Sequence, residues 1–266
     1  MQAEPLQLQL GPEVHLEGER WAPTSAARGS VVLAHGGGQT RHAWDRTAPT
    51  LAERGWEVLA YDMRGHGGSA WHPHGHYDID LLAADLAAFA ALCTASRPVL
   101  VGASVSGIAA LLAATGEAGA ARCAGVVLVD VAPTVDSSGV EKILGFMTAA
   151  LDDGFASVEE AARAISEYLP HRPPPRDLSG LAKNLRLHAD GRLRWHWDPR
   201  FVRGQRWAAV APHRQRLLAA TAALRVPTLL LRGRRSELVT DAAVAEFLAH
   251  APHARFRDVT DADHMI

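Results

Sequence analysis

The chain has 266 residues, 48% hydrophobic and 21% charged, which supplies ample material for a buried core and excludes a disordered chain. Its length allows one or two domains, and α/β chains of this size commonly form one core with an insertion. Lys plus Arg (27) against Asp plus Glu (29) gives a formal net charge of −2, so no basic excess exists to hold a nucleic-acid backbone.

The N-terminal MQAEPLQLQLG has no basic segment followed by an apolar one, and no apolar run is long enough to span a bilayer. A cytoplasmic protein is expected. Leu6 to Leu10 reads as an edge strand and Ser30 to Ala34 (SVVLA) as a buried one. A helix near His42 to Arg54 leads to a strand at Trp56 to Tyr61, and a helix near Asp78 to Ala95 to a strand at Pro98 to Gly102. Next come a helix at Ser104 to Thr115 and a strand at Gly125 to Asp130. After a long gap, strands at Val226 to Leu231 and Arg255 to Val259 flank a helix at Thr240 to Ala251. Strands alternating with crossover helices predict a mostly parallel, doubly wound α/β sheet. Cys93 and Cys123 lie outside any C-x-x-C spacing, which predicts buried, reduced thiols.

The gap, residues 133–223, has no buried-strand pattern and reads as an inserted helical lid between core segments 1–132 and 224–266. Ser157 with Glu160 three residues later predicts a capping box opening a helix that Pro170 stops near Leu169. A proline cluster, HRPPPRD, follows at His171 to Asp177, and then a second helix near Leu178 to His188. In GRLRWHWDPRF, Leu193, Trp195 and Trp197 fall on one side, so the rings either pack against the core or line a pocket roof. Phe146 and Met147 are further candidates for that roof.

Val99 to Gly107, VLVGASVSG, runs a hydrophobic strand into small residues and then an Ala/Leu helix. A serine on such a turn, Ser104, has its hydroxyl exposed at the carboxyl edge of the sheet and its backbone at the positive end of the helix dipole. Small neighbours at Gly102 and Ser106 avoid clashes across the turn, and Gly107 stands one place beyond the usual G-x-S-x-G spacing. The strand SVVLA ends in His35, Gly36, Gly37, Gly38 and Gln39, where glycines let backbone N–H groups approach a developing oxyanion. No nucleotide-binding glycine motif is present. His264 follows the last strand in DVTDADHMI, where the base of a Ser, acid, His order falls.

With DMRGHGGS at Asp62 to Ser69 and VLVDVAPT at Val127 to Thr134, these motifs resemble the α/β-hydrolase superfamily along essentially the whole chain. HGGGQTRHAW, VDVAP and RGRRSELV are most similar to small bacterial serine carboxylesterases with a helical lid. The G-x-S-x-S-G run at Ser106 is similar to that of zearalenone-type lactone hydrolases.

The resemblance implies an acyl-enzyme mechanism on a small-molecule ester or lactone. In it Ser104 is the nucleophile, His264 the base, and the N–H groups of Val105 and Gly37 the oxyanion hole, with Gly36 and Gly38 beside the substrate. No metal or cofactor is required. The acid is either Asp130, after one strand, or Glu237, after a later one. Asp62, Arg64 and His66 read as structural. A metal at His72, His74 and His76 is disfavoured, because their Pro/Gly loop brings no acidic or cysteine ligands. Alternatives on the same scaffold are a carbon–carbon bond hydrolase, a haloperoxidase-like enzyme or a non-catalytic ligand-binding protein. The fold usually continues into a helix after the late histidine, whereas this sequence stops two residues beyond His264. An exposed apolar strip beside the last strands is therefore expected.

Overall fold

Val- and Leu-rich runs too short for helices become strands, and their order determines where the loops meet. The computed structural model describes residues 3–95, 97–116, 122–172, 177–203 and 210–266. Its strands are β1 (Glu4–Gln9), β2 (His15–Trp21), β3 (Gly29–Ala34), β4 (Trp56–Tyr61), β5 (Val99–Ala103), β6 (Gly125–Val129), β7 (Leu185–Leu187), β8 (Leu193–Trp195), β9 (Thr228–Gly233) and β10 (Arg255–Val259). Eight of them form one sheet in the order β1-β2-β4-β3-β5-β6-β9-β10. β2 runs antiparallel to both its neighbours, and the pairs from β4 to β10 are parallel. The order reverses between β3 and β5, which creates a crevice at their carboxyl ends where loops can hold a ligand.

β2 has no counterpart in the sequence reading. Its alternation is hidden by Glu17 and Glu19 on one face and by Gly18 and Arg20 on the other. Gly18 is a packing requirement, since a Cβ there would lie 2.4 Å from the Phe89 ring. Leu59, Val32, Leu100 and Val126 stand side by side in register on one face, each at most 4% exposed. Burying each contributes roughly 1.5–3 kcal/mol.

The helices of the sheet domain are α1 (Thr47–Glu53), α2 (Ile79–Ala90) and α3 (Val105–Thr115). The predicted helix from His42 is split, with a 3-10 turn at Arg41–Trp44 before α1. Asp78 caps α2 through its side chain, which accepts from Leu81 N. Between β6 and β9 the chain leaves the sheet through α4 (Ser137–Ala149), α5 (Val158–Tyr168), α6 (Ser179–Ala182), β7, β8, α7 (Arg200–Arg203) and α8 (Val210–Ala223). The cap of α5 is as predicted, with Ser157 Oγ accepting from Glu160 N at 3.3 Å, while the Glu160 carboxylate accepts from Ala156 N.

The helix predicted over Leu178 to His188 is corrected: one turn at α6 gives way to the β7–β8 hairpin, tied by a bridge between Phe155 and Leu193. Leu185, Leu187, Leu193 and Trp195 alternate with arginines, a period-two pattern that suits a strand. The segment is therefore not wholly helical. Of the proline cluster, Pro173, Pro174, Pro175 and Arg176 lie outside the described residues.

α9 (Asp241–His250), capped by Thr240, and α8 pack together, and α8 also packs on α3. Val101, Val127 and Leu229 form an in-register row on the opposite face of the sheet, each half-buried. No helix among the described residues is long and apolar enough to cross a membrane.

Candidate active site

Ser104 stands between the end of β5 and the start of α3, with φ 51° and ψ −124°. Such a backbone is strained for a residue with a side chain and persists only where its surroundings enforce it. They do so by close backbone approach. A Cβ on Gly102 would lie 2.1 Å from Ser106 O, and one on Gly107 would lie 2.4 Å from Val131 Cγ1. Ser106 Oγ donates to His35 O at 2.6 Å, which ties the turn to the neighbouring glycine loop. Ser104 makes no side-chain cap to the helix, so its hydroxyl is not spent there.

Among the described residues one other non-glycine residue has positive φ: Asp130, at 50°, just past the end of the adjacent strand β6. Its fully buried carboxylate has three donors. Oδ1 accepts from Gly233 N at 2.8 Å, and Oδ2 accepts from Ser236 Oγ at 2.5 Å and from His264 Nδ1 at 2.7 Å. Nδ1–H facing a carboxylate leaves His264 Nε2 as the basic nitrogen. Glu237, the alternative acid, is instead on the surface, with its side chain 58% exposed and paired with Lys142 Nζ at 2.7 Å. The structure thus places Asp130, and not Glu237, on the histidine. Ser104 and His264 line the same cleft, of about 380 Å³, although no hydrogen bond joins their side chains in this structure.

The glycine loop after β3 presents one free donor. Gly36 N donates to Gln39 Oε1 at 2.9 Å and Gly38 N donates to His66 Nε2 at 3.0 Å. The N–H of Gly37 between them has no acceptor among the described residues. Gly36 adjoins the nucleophile, as a Cβ there would be 3.4 Å from Ser104 Cβ. The N–H of Val105, the first residue of α3, has no carbonyl four residues back within the helix. Among the described residues these two N–H groups, one next to Ser104 in the chain and one in the adjoining glycine loop, are unspent.

Three buried imidazoles brace this loop. His35 Nδ1 donates to Gly36 O at 2.8 Å while its Nε2 accepts from Met63 N at 2.9 Å. The His66 ring lies 5.3 Å from that of His35 and 5.9 Å from that of His196, whose Nδ1 accepts from Gly67 N at 2.6 Å. Burial holds all three below the ordinary histidine range, His196 down to about 3.

Asp62 and Arg64, in the same turn, are structural as read. Asp62 Oδ1 accepts from Arg41 N at 2.7 Å, and Arg64 forms a two-pronged buried pair with Asp85 at 2.5 Å. His72 Nδ1 accepts from His74 N and His76 N, closing its own loop.

The aromatic candidates reach the cleft. Trp197 and Met147 sit over Gly38, with Met147 Cε 3.1 Å and Trp197 Nε1 3.6 Å from where its Cβ would be. The Phe146 ring stacks on Tyr168 at 4.3 Å. Trp195 and Trp197 are both buried and both line the cleft, so packing and lining are not alternatives here.

A family model for serine aminopeptidases of type S33 matches residues 25–266. The chain belongs to this α/β-hydrolase family. Esterase Rv0045c of Mycobacterium tuberculosis is 32% identical over 244 residues, covering 89% of this chain and 75% of that protein. The 3-hydroxybutyrate-oligomer hydrolase of Cupriavidus necator is 25% identical, covering 88% of this chain and 82% of that one. The solved structure of E-2-(acetamidomethylene)succinate hydrolase is similar in fold, with a TM-score of 0.82 at 21% identity over 99% of this chain and 92% of that one.

The α/β-hydrolase site also contains groups that the sequence reading passed over. Ser236 lies in RGRRSELV, where attention falls on its charged neighbour Glu237. Gly233 is needed because a Cβ there would lie 1.9 Å from Asp263 O, the residue before His264. Neither signal is visible without the contact.

Gly102→Ala puts a methyl group against backbone that cannot swing aside. It is expected to destabilise this α/β-hydrolase by more than about 2 kcal/mol. Thermal unfolding checks this, and an unchanged melting temperature would contradict the close approach.

Proposed function

We propose that the protein is a serine hydrolase that cleaves a carboxylic ester, lactones included, through an acyl-enzyme on Ser104. The reading is carried by one observation: a fully buried Asp130 holds His264 by Nδ1 in the cleft that contains Ser104 on its strained turn. In this mechanism Ser104 Oγ bonds to the carbonyl carbon as its proton passes to His264 Nε2, a contact that tightens when substrate is bound. The oxyanion is met by the N–H groups of Gly37 and Val105, both unspent before substrate arrives. The carbon–oxygen bond to the alcohol then breaks, and the leaving oxygen takes the proton from His264. Water repeats the sequence and releases the acid.

The cleft's aromatic wall and the 32% identity with the Mycobacterium tuberculosis esterase support an ester substrate. A fluorophosphonate probe tests the reading, because it captures a serine that is both activated and served by an oxyanion hole. Labelling of Ser104 in intact protein, located by peptide mass spectrometry, is the expected result. No labelling, or labelling elsewhere in the chain, would overturn it.

A further inference from the structure

A second, smaller cavity of about 80 Å³ also opens on Ser104, and its walls are almost entirely apolar. It runs between α3 and α4 past Ile108, Val140 and Leu144 to Leu217, while Val105 lines its inner end. Ile143 lines both cavities, so it forms part of the wall between them. Arg216 at the outer end is paired with Asp80 at 2.9 Å. The two cavities differ in one respect that bears on chemistry: His264 lines the large cleft and not the small slot.

Resting on the ester-hydrolase reading above, we infer that the slot holds a short unbranched apolar acyl chain and that the large cleft holds the alcohol. The leaving oxygen must receive its proton from His264 Nε2, so it departs on the side that the histidine lines. With the carbonyl oxygen turned towards Gly37 and Val105, the remaining substituent of the carbonyl carbon points away from the histidine, into the slot. A slot lined mostly by branched aliphatic side chains rewards hydrocarbon over a polar acyl chain. Besides Ser104 its polar lining residues are His213 and Arg216, and Arg216 is already held by Asp80. Its volume corresponds to about three water-sized units, which sets a limit near four or five acyl carbons. The cleft is several times larger and carries Trp44, Phe146, Tyr168 and Trp197, which suits a bulky, flat alcohol.

The test is a matrix of esters, varying acyl length on one aryl alcohol and alcohol size on acetate, with Ser104 labelling measured in parallel. In the wild type, kcat/KM is expected to rise about fourfold per methylene up to four or five carbons and then to fall. Val140→Phe, at a half-buried position, should move the optimum to acetyl and cost at least tenfold on pentanoyl. Leu144→Ala should lengthen the optimum by one or two carbons. Neither should reorder the alcohols, whereas Phe146→Ala should reorder them with the acyl profile unchanged.

A wild-type rate that climbs steadily to long chains would overturn the slot assignment. So would slot variants that reorder the alcohols and leave the acyl profile fixed. Labelling of Ser104 without turnover of any ester in the matrix would instead overturn the ester reading itself.

Discussion

Ser104→Ala and Asp130→Asn should lower kcat for an activated aryl ester by about 10⁶-fold and about 10⁴-fold respectively, the range seen when members of such a triad are removed. Glu237→Gln should change it by less than about twofold, because that carboxylate is an exposed partner of Lys142. The asymmetry between the two acids follows from what surrounds them. Asp130 is fully buried and its three donors all point at the carboxylate, one of them His264 Nδ1 at 2.7 Å.

An asparagine in its place keeps the size but must present an amide N–H to one of these partners. If Nδ2 faces His264, Nδ1 becomes the acceptor and the proton moves to Nε2. The ring is then in the tautomer that cannot take a proton from Ser104. Residual turnover by each variant should still exceed the uncatalysed rate, since the N–H groups of Gly37 and Val105 remain. Steady-state kinetics on the three variants, with far-ultraviolet circular dichroism to verify folding, decides the matter. A loss at Glu237 equal to that at Asp130 would transfer the orienting role.

The sheet and the nucleophile turn were legible in the sequence because each rests on local chemistry. Strand runs such as SVVLA and GVVLV carry their own period, and VLVGASVSG places small residues where the backbone must fold back on itself. The acid was legible only as a choice between two positions. What separates Asp130 from Glu237 is a set of contacts across more than 100 residues, from Asp130 to Gly233, Ser236 and His264, and no spacing rule encodes them.

Two further elements were lost for opposite reasons. β2 is disguised by its charges and its glycine. In the β7–β8 hairpin the alternation of Leu193 and Trp195 is visible, but the three residues of β7 are too few to stand out from the helical pattern read over Leu178 to His188. His66 reads from sequence as part of a turn, yet its Nε2 is the acceptor that leaves Gly37 as the free N–H of its loop. That role exists only because β3 and β4 are neighbours in the sheet.

Acid should destabilise the protein steeply, and the histidines behind the glycine loop are the reason. His35, His66 and His196 each accept a backbone N–H on a ring nitrogen, from Met63, Gly38 and Gly67 respectively. A protonated ring has no lone pair to offer, so each bond fixes its histidine as neutral. Burial acts in the same direction, lowering all three below the ordinary value of 6.5, His66 well below it and His196 to about 3. For His35 the nearby Asp62 works against burial, and for His196 the charges of His35 and Arg186 add to it.

The sign then follows. Above pH 6.5 these rings are neutral in both folded and unfolded chains and add no pH dependence. As pH falls through 6.5 the unfolded chain takes up protons that the native cluster refuses, so stability is lost until the native rings themselves protonate. Each histidine contributes about 1.4 kcal/mol per pH unit for as long as its native ring stays neutral, on the order of 3 kcal/mol per unit for His66 and His196 together, and His35 adds to this until its own ring protonates. Against a typical net stability of about 5–15 kcal/mol, unfolding is expected between roughly pH 4 and 5.5, beginning before most carboxylates protonate. Melting temperature measured from pH 8 to pH 4 should be level at first and then drop sharply below pH 6. His196→Asn retains an acceptor for Gly67 N without a titrating ring, and it should reduce the slope by about 1.4 kcal/mol per pH unit. A melting temperature that stays level to pH 4 would mean that the cluster accepts protons in the folded state, and with them the loss of the bond from Gly38 that holds the glycine loop.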